Sequence, residues 1–157
     1  MLLGIAAASV IGCGRRRDTS VPTAASDGTI VLSDDGVAFA QRIAGQVAVV
    51  DFWATWCEPC RVSIPKVVSF AAQHERELVV VGVHVGHGFD EARAFASEAG
   101  MGYPLYADPE YALSGKLGAM RVPAIVVLDR KGVAVCHAGE IDDTVERAVR
   151  GALSSRS

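Results

Sequence analysis

Residues 53–60 read Trp-Ala-Thr-Trp-Cys-Glu-Pro-Cys and directly follow an apolar run at 47–52, so a Cys-x-x-Cys pair lies where a strand is expected to give way to a helix. Two thiols three positions apart in the first turn of a helix are close enough to form a small disulfide loop. Cys57 meets unpaired backbone N–H groups and the positive end of the helix dipole, and both favour its thiolate. Cys60 lies one turn further in and is more shielded. The stretch therefore predicts a redox site in which Cys57 attacks a disulfide and Cys60 resolves the mixed disulfide.

These residues resemble the active-site strand and turn of the thioredoxin-like thiol-disulfide oxidoreductases. The resemblance is closest to their membrane-tethered extracytoplasmic branch, which includes TlpA, ResA and the cytochrome c maturation reductases. Pro65 resembles the proline that bends the family's active-site helix, and Val122-Pro123 resembles its cis-proline. The resemblance covers about residues 29–153. It implies an α/β thioredoxin fold, protein-disulfide reductase activity, and no cofactor besides the redox-active Cys57–Cys60 disulfide.

Asp51 interrupts the apolar run six positions before Cys57. Burying a carboxylate in an apolar strand costs free energy, unless the group has a catalytic role or an ion-pair partner. Its position matches the buried acid of thioredoxin, which accepts and returns the proton of the resolving cysteine, and desolvation would raise its pKa towards neutrality. An exposed acid at the end of a strand is the alternative. His87 stands where the tethered branch often supplies a Glu, and it is either a proton shuttle or a solvated loop histidine.

A substrate-binding surface is expected around the cysteines. Trp53 and Trp56 would supply an apolar rim that a polypeptide substrate can contact, although either side chain is also suited to fill the core. By resemblance, the Val122–Pro123 bond is cis and packs against the disulfide, and the backbone of Val122 pairs with the substrate chain as an added strand. A trans-proline at a strand start is the alternative.

The spacer between the cysteines, Glu58-Pro59, completes the predicted substrate-binding set and tunes the redox couple. The Glu58 carboxylate disfavours a thiolate beside it, makes the reduced state less stable and biases the couple toward a reductant. A copper site formed by His84, His87 and the two cysteines is the weaker alternative, because the related copper chaperones use a longer cysteine spacing. No metal is expected.

The N-terminal residues decide the expected compartment. An apolar run at 2–11 is too short to span a bilayer, and residues 10–13 resemble a bacterial lipobox, which implies signal cleavage before Cys13 and lipidation of that thiol. The absence of Lys or Arg before this run, and the three arginines at 15–17, depart from the signal pattern. Another export route and a cytoplasmic protein with an apolar N terminus are the alternatives. We expect a leader at 1–13, a flexible linker at 14–28 and a thioredoxin-like domain at 29–153.

Hydrophobic periodicity and turn residues predict an alternating order of strands and helices. The resemblance implies that they form a central mixed sheet flanked by helices. The stretch between the third strand and Pro123 is longer than a minimal thioredoxin needs, which resembles the extracytoplasmic branch with its inserted helix. Residues 143–146, Asp-Thr-Val-Glu, resemble a capping box that opens the last helix. Strands are expected at 29–33, 47–52, 78–85, 124–129 and 133–137, and helices at 37–44, 59–74, 89–99, 109–117 and from 143 onward.

The composition fits one core: 157 residues, 50% hydrophobic, with a formal net charge of -3. A weakly acidic chain without a basic stripe beyond the three arginines lacks the surface that nucleic-acid binding needs. Together with the lipobox-like residues 10–13, the family resemblance implies a monomeric, membrane-anchored reductase on the periplasmic side. It would reduce disulfides of exported proteins, such as apocytochrome c or copper-assembly proteins, and receive electrons from a membrane thiol donor. A cytoplasmic general thioredoxin and a non-catalytic thiol- or metal-binding module remain alternatives.

Overall fold

Alternating runs of β-branched residues and amphipathic segments give the chain an α/β architecture. The computed structural model describes residues 30–31 and 37–155, which form a six-stranded mixed sheet flanked by helices. The strands are β1 (Ile30–Val31), β2 (Ala48–Trp53), β3 (Val79–Val85), β4 (Leu105–Asp108), β5 (Ala124–Leu128) and β6 (Ala134–Ala138), and the helices are α1 (Val37–Ile43), α2 (Glu58–His74), α3 (Phe89–Glu98), α4 (Ala112–Lys116) and α5 (Asp143–Ser154).

The sheet has the order β1-β4-β3-β2-β5-β6, with β2 near its centre. Strand β2 is parallel to β3 and antiparallel to β5, so that Asp51 lies between Gly82 on one side and Ile125 on the other. Every residue of β2 is buried. This explains its nearly continuous apolar sequence, because a strand that is covered on both faces has no solvent-exposed positions for polar residues.

The predicted thioredoxin-like fold is confirmed, including an inserted helix, α3, between the third strand and Pro123. One strand was missed in the sequence. Strand β4 pairs in parallel with both β3 and β1, and it is only four residues long. Its sequence, Leu-Tyr-Ala-Asp, has neither the length nor the β-branched content that marks β2 and β3. A short strand between two partners is stabilised by its neighbours rather than by its own sequence.

The capping-box prediction at 143–146 is wrong by one residue. Asp142, not Asp143, precedes α5, and its carboxylate accepts hydrogen bonds from the backbone N–H groups of Thr144 at 2.9 Å and Val145 at 3.0 Å. Asp142 and Asp143 are both suitable N-cap residues by type. Asp142 is the N-cap because its backbone has the extended conformation that a cap requires.

Helix α4 is shorter than predicted. The buried Asp108 at the end of β4 accepts from the N–H groups of Leu113 and Ser114 and so fixes where the helix begins. The predicted leader, linker and lipidation site at Cys13 lie outside the described residues. Among the helices of the described part, none is long and apolar enough to cross a membrane.

Candidate active site

The two cysteines lie at the carboxyl end of β2, in the turn that starts α2. Cys57 is the N-cap of the helix, with an extended backbone, and it is bonded to Cys60 with the two Cα atoms 5.3 Å apart. Its Sγ accepts a hydrogen bond from the Cys60 backbone N–H at 3.2 Å. The same contact would stabilise a thiolate at this sulfur. Cys57 is 3% exposed and Cys60 is 0% exposed, so the predicted order of attack and resolution fits their accessibility.

The helix that carries the cysteines tolerates two prolines. Pro59 lies in the first turn of α2, where its missing N–H would have no partner in any case, and Pro65 lies inside the helix. The prediction that α2 contains both residues is confirmed.

Asp51 is fully buried, which rules out the exposed strand-end alternative. Burial raises its pKa from 3.8 to about 7, and a hydrogen bond from Tyr103 opposes this rise. The Tyr103 hydroxyl donates to Oδ2 at 3.3 Å, whereas Oδ1 has no partner among the described residues. A carboxyl group with a pKa near neutrality is suited to take and return a proton. The catalytic role of Asp51 stays a prediction.

The two tryptophans have different environments. Trp53 is 1% exposed and packs against His84, with ring centroids 5.0 Å apart, and against Phe95 at 5.5 Å. Of the two alternatives for Trp53, the structure therefore supports core filling rather than the substrate rim, because the residue still belongs to β2 and its side chain is buried. Trp56 is 66% exposed and lies in the turn before Cys57. It remains the candidate for an apolar contact with a substrate.

Glu58 is exposed, and it has a counter-charge that was not predicted from the sequence. The Nε atom of Arg61 lies 3.5 Å from the Glu58 carboxylate, at i,i+3 spacing on α2. The Arg61 guanidinium also lies 4.7 Å above the Phe95 ring, and it donates to the carbonyl of Thr55 at 3.4 Å. Arg61 therefore offsets part of the negative charge that Glu58 brings to this turn. The helical spacing of an acid and a base was the signal that could have revealed this pair.

The Val122–Pro123 peptide bond is cis, which confirms that prediction. Ala124, the first residue of β5, lies opposite Phe52 near the end of β2, so the cis-proline loop is at the same edge of the sheet as the cysteines. Val122 is half-buried there, and the neighbouring Met120 is strongly exposed. The pairing of Val122 with a substrate chain stays a prediction.

The two histidines of β3 and its following turn differ in burial. His87 is exposed just after β3, as a solvated loop histidine would be, and its role as a proton shuttle stays untested. His84 is buried and neither of its ring nitrogens has a partner among the described residues; burial lowers its pKa, which favours the neutral ring. Within residues 30–31 and 37–155, no group of three or more metal-ligating side chains is close enough to hold a metal ion.

Residues 23–135 match the AhpC/TSA family. The thioredoxin-like protein YneN of Bacillus subtilis is 30% identical over 59% of this chain and 56% of its own length. The thiol:disulfide interchange protein HelX of Rhodobacter capsulatus is 34% identical over 56% of this chain and 49% of its own length. The chain thus spans about half the length of these curated relatives.

The thiol:disulfide interchange protein DsbE of Pseudomonas fluorescens biotype C is 30% identical over 82% of this chain and 67% of its own length. Among solved structures, a putative thiol:disulfide interchange protein DsbE from Chlorobium tepidum superposes with a TM-score of 0.65 and 25% identity, over 73% of this chain and 84% of that one. The similarity includes the strand, turn and helix that carry Cys57 and Cys60. The chain belongs to the AhpC/TSA family, among its thioredoxin-like thiol-disulfide oxidoreductases.

Proposed function

We propose that this protein reduces disulfides in exported proteins through the Cys57–Cys60 couple. The observation that carries the proposal is the paired geometry of the cysteines. Cys57 is the slightly exposed N-cap of α2, with its sulfur held by the Cys60 N–H, while Cys60 is fully buried. Relatives named as thiol:disulfide interchange proteins and thiol-disulfide oxidoreductases support the same class of reaction.

The reaction transfers two electrons from the dithiol to a client disulfide. The Cys57 thiolate attacks one client sulfur and forms a mixed disulfide, and the other client sulfur leaves as a thiolate. The Cys60 thiol then loses its proton to Asp51 and attacks the sulfur of Cys57, which releases the second client thiolate. The client is reduced and the Cys57–Cys60 couple is oxidised. A membrane thiol donor would return it to the dithiol state.

The surface around Cys57 supports a polypeptide client. Trp56 and Met120 are exposed apolar side chains in the two segments that flank the cysteines, the turn before α2 and the cis-proline loop. Exposed apolar groups of this size favour contact with another chain rather than with a small polar molecule. Apocytochrome c and copper-assembly proteins are the proposed clients, and the protein would act as a monomer held at the periplasmic side of a membrane.

The reduction potential of the couple tests the direction of electron flow. We expect a value nearer to thioredoxin, at about −270 mV, than to the oxidant DsbA, at about −120 mV. The measurement is equilibration of the described domain in glutathione or dithiothreitol buffers, with the dithiol fraction read by alkylation. A potential close to that of DsbA would contradict the proposed reductase and favour disulfide formation.

Charge variants in the first turn of α2 provide matched controls for this potential. Glu58→Gln removes a carboxylate from the vicinity of the thiolate, and we expect the potential to rise by on the order of 20 mV. Arg61→Gln removes the counter-charge, and we expect the potential to fall by a similar amount. The shifts are small because both side chains are exposed and screened. Shifts of the same sign in both variants would contradict the electrostatic argument.

The proposed membrane anchor is tested by lipid labelling of the full chain in bacterial cells. We expect a clickable palmitate analogue to label the native chain and not Cys13→Ser, because the sequence at 10–13 resembles a lipobox. Cys136→Ser is the control and should retain the label. A native chain without label, or a Cys13→Ser variant that keeps it, would contradict anchoring through this thiol.

A further inference from the structure

Asp51 meets a tyrosine that comes from a distant part of the chain. Tyr103 lies in the loop between α3 and β4, 52 residues after Asp51, and its hydroxyl is 3.3 Å from Oδ2 of the buried carboxyl. Tyr103 is itself buried. The loop is held in place by a backbone hydrogen bond of 2.9 Å from the Gly82 N–H to the Pro104 carbonyl. The contact is therefore built into the fold rather than made by a mobile surface group.

Gly82 makes room for this contact. It lies on β3 directly opposite Asp51 on β2. A Cβ atom at this position would come within 3.1 Å of the Tyr103 ring and within 2.7 Å of the Leu105 side chain, distances at which neighbouring groups must move. Glycine in the middle of a strand often marks such a close approach. The absence of a side chain at Gly82 allows the ring of Tyr103 to cross β3 and reach β2.

Tyr103 is a dedicated hydrogen-bond donor at this site. Burial, the charge of Asp51 and their mutual hydrogen bond all raise the pKa of Tyr103, so that its hydroxyl keeps its proton over the working pH range. The donated bond favours the ionised form of Asp51 and lowers the pKa of that carboxyl, against the rise that burial causes.

We propose that Tyr103 is a positioning residue for proton transfer: its hydroxyl binds Oδ2 of Asp51 and leaves Oδ1 to receive the proton of Cys60. This inference rests on the proposed function. In the resolving step the proton moves from the Cys60 thiol to Oδ1, a bond forms between the sulfurs of Cys60 and Cys57, and the Cys57–client bond breaks. Its electron pair leaves with the client thiolate.

The elements next to β2 carry other titratable groups. Strand β3 contributes His84, whose ring is buried against Trp53 and favoured in its neutral form. Helix α2 contributes the two cysteines, and its charged pair Glu58–Arg61 lies at the solvent-exposed surface. Strand β5 places the apolar Ile125 opposite Asp51. Tyr103 is the one side chain of the described residues that hydrogen-bonds to the Asp51 carboxyl.

The test is a ¹³C NMR titration of the Asp51 carboxyl carbon in Tyr103→Phe and in Tyr106→Phe. Tyr106 is a matched control, since it is also buried, but its hydroxyl has no hydrogen-bond partner among the described residues. We expect the Asp51 midpoint to rise by about one pH unit in Tyr103→Phe and to stay unchanged in Tyr106→Phe. Such a shift would leave about fivefold less ionised Asp51 at pH 7.

The resolving step gives a second readout. Reaction of the reduced chain with an aromatic disulfide first forms a mixed disulfide at Cys57 and releases one aromatic thiolate, and attack by Cys60 on the Cys57 sulfur then releases the second aromatic thiolate. In stopped flow at pH 7, we expect the second release to be about fivefold slower in Tyr103→Phe, in line with the loss of ionised Asp51, and the difference to diminish above pH 8. An unchanged Asp51 midpoint in folded Tyr103→Phe overturns the proposal.

A titration of the native chain covers the case in which Tyr103→Phe does not fold. The Tyr103 ring carbon bonded to the hydroxyl should shift with the same midpoint as the Asp51 carboxyl, and this shift should vanish in Asp51→Asn. A ring carbon that does not follow Asp51 also overturns the proposal. A chain with no reductase activity but a shared midpoint would contradict the proposed function alone and support the pairing of Tyr103 with Asp51.

Discussion

Replacing Cys60 with serine is expected to trap the protein on its clients as stable mixed disulfides. Cys57 is the more exposed of the two sulfurs and retains its place at the N terminus of α2, so the first attack still occurs. Without the Cys60 thiol, no internal nucleophile can displace the client, and catalytic turnover should fall to background. The measurement is a non-reducing gel of cell extract, in which adducts of Cys60→Ser appear and disappear on addition of dithiothreitol.

Two further variants make this result specific. Cys57→Ser should give no adducts, because Cys60 is fully buried. Cys136→Ser should behave as the native chain, since burial and the nearby Asp142 raise the pKa of the Cys136 thiol and make it a weak nucleophile at neutral pH. Equal trapping by Cys57→Ser and Cys60→Ser, or turnover that survives the loss of either cysteine, would instead favour a non-catalytic thiol-binding module.

Replacing Asp51 with asparagine is expected to stabilise the oxidised protein at alkaline pH while it impairs catalysis. Burial raises the pKa of Asp51 from 3.8 to about 7, so the folded state binds a proton more tightly than the unfolded state. The contribution of Asp51 to stability is therefore greatest below pH 4 and is lost as the pH rises from 4 through 7, because above 7 the buried carboxylate is ionised in the folded state. A shift of this size corresponds to about 4 kcal/mol. We expect a gain of about 2–3 kcal/mol at pH 8, because a buried amide also has a desolvation cost.

Urea unfolding of the oxidised protein at several pH values measures this effect. The gain from Asp51→Asn should shrink as the pH is lowered from 8 and should be lost near pH 4. Asp108→Asn is a matched control. Asp108 is also a buried acid, but its carboxylate accepts from the N–H groups of Leu113 and Ser114, so this variant should lose stability at pH 8. A comparable loss in Asp51→Asn would show that Asp51 is a structural group.

The order of the secondary structure could be predicted from the sequence because the central elements carry strong local signals. Strand β2 is an unbroken apolar run, and α2 begins with a Cys-x-x-Cys and a proline that suits the first turn. The position of the redox pair follows from these two elements alone. Strand β4 was missed because its pairing depends on β3 and β1, which are distant in sequence.

Parts of the candidate site depend on contacts that no local pattern contains. Trp53 and Trp56 are three positions apart in one short motif, yet one completes a buried strand and the other lies on an exposed turn. Tyr103 reaches Asp51 across β3 from a loop 52 residues away. Periodicity describes neighbours along the chain, whereas these environments depend on how strands are ordered in the sheet.

The close packing of neighbouring side chains around Gly82 limits which substitutions this position can accept during evolution. A Cβ atom there would require the end of the Leu105 side chain to move and the Tyr103 ring to shift by a few tenths of an ångström, so a larger residue at 82 should be accepted more readily when residue 103 or 105 is smaller. Positions 82 and 103 should therefore co-vary among related sequences. Chains with glycine at 82 should keep an aromatic residue at 103, and chains with a larger residue at 82 should position their buried acid by some other donor.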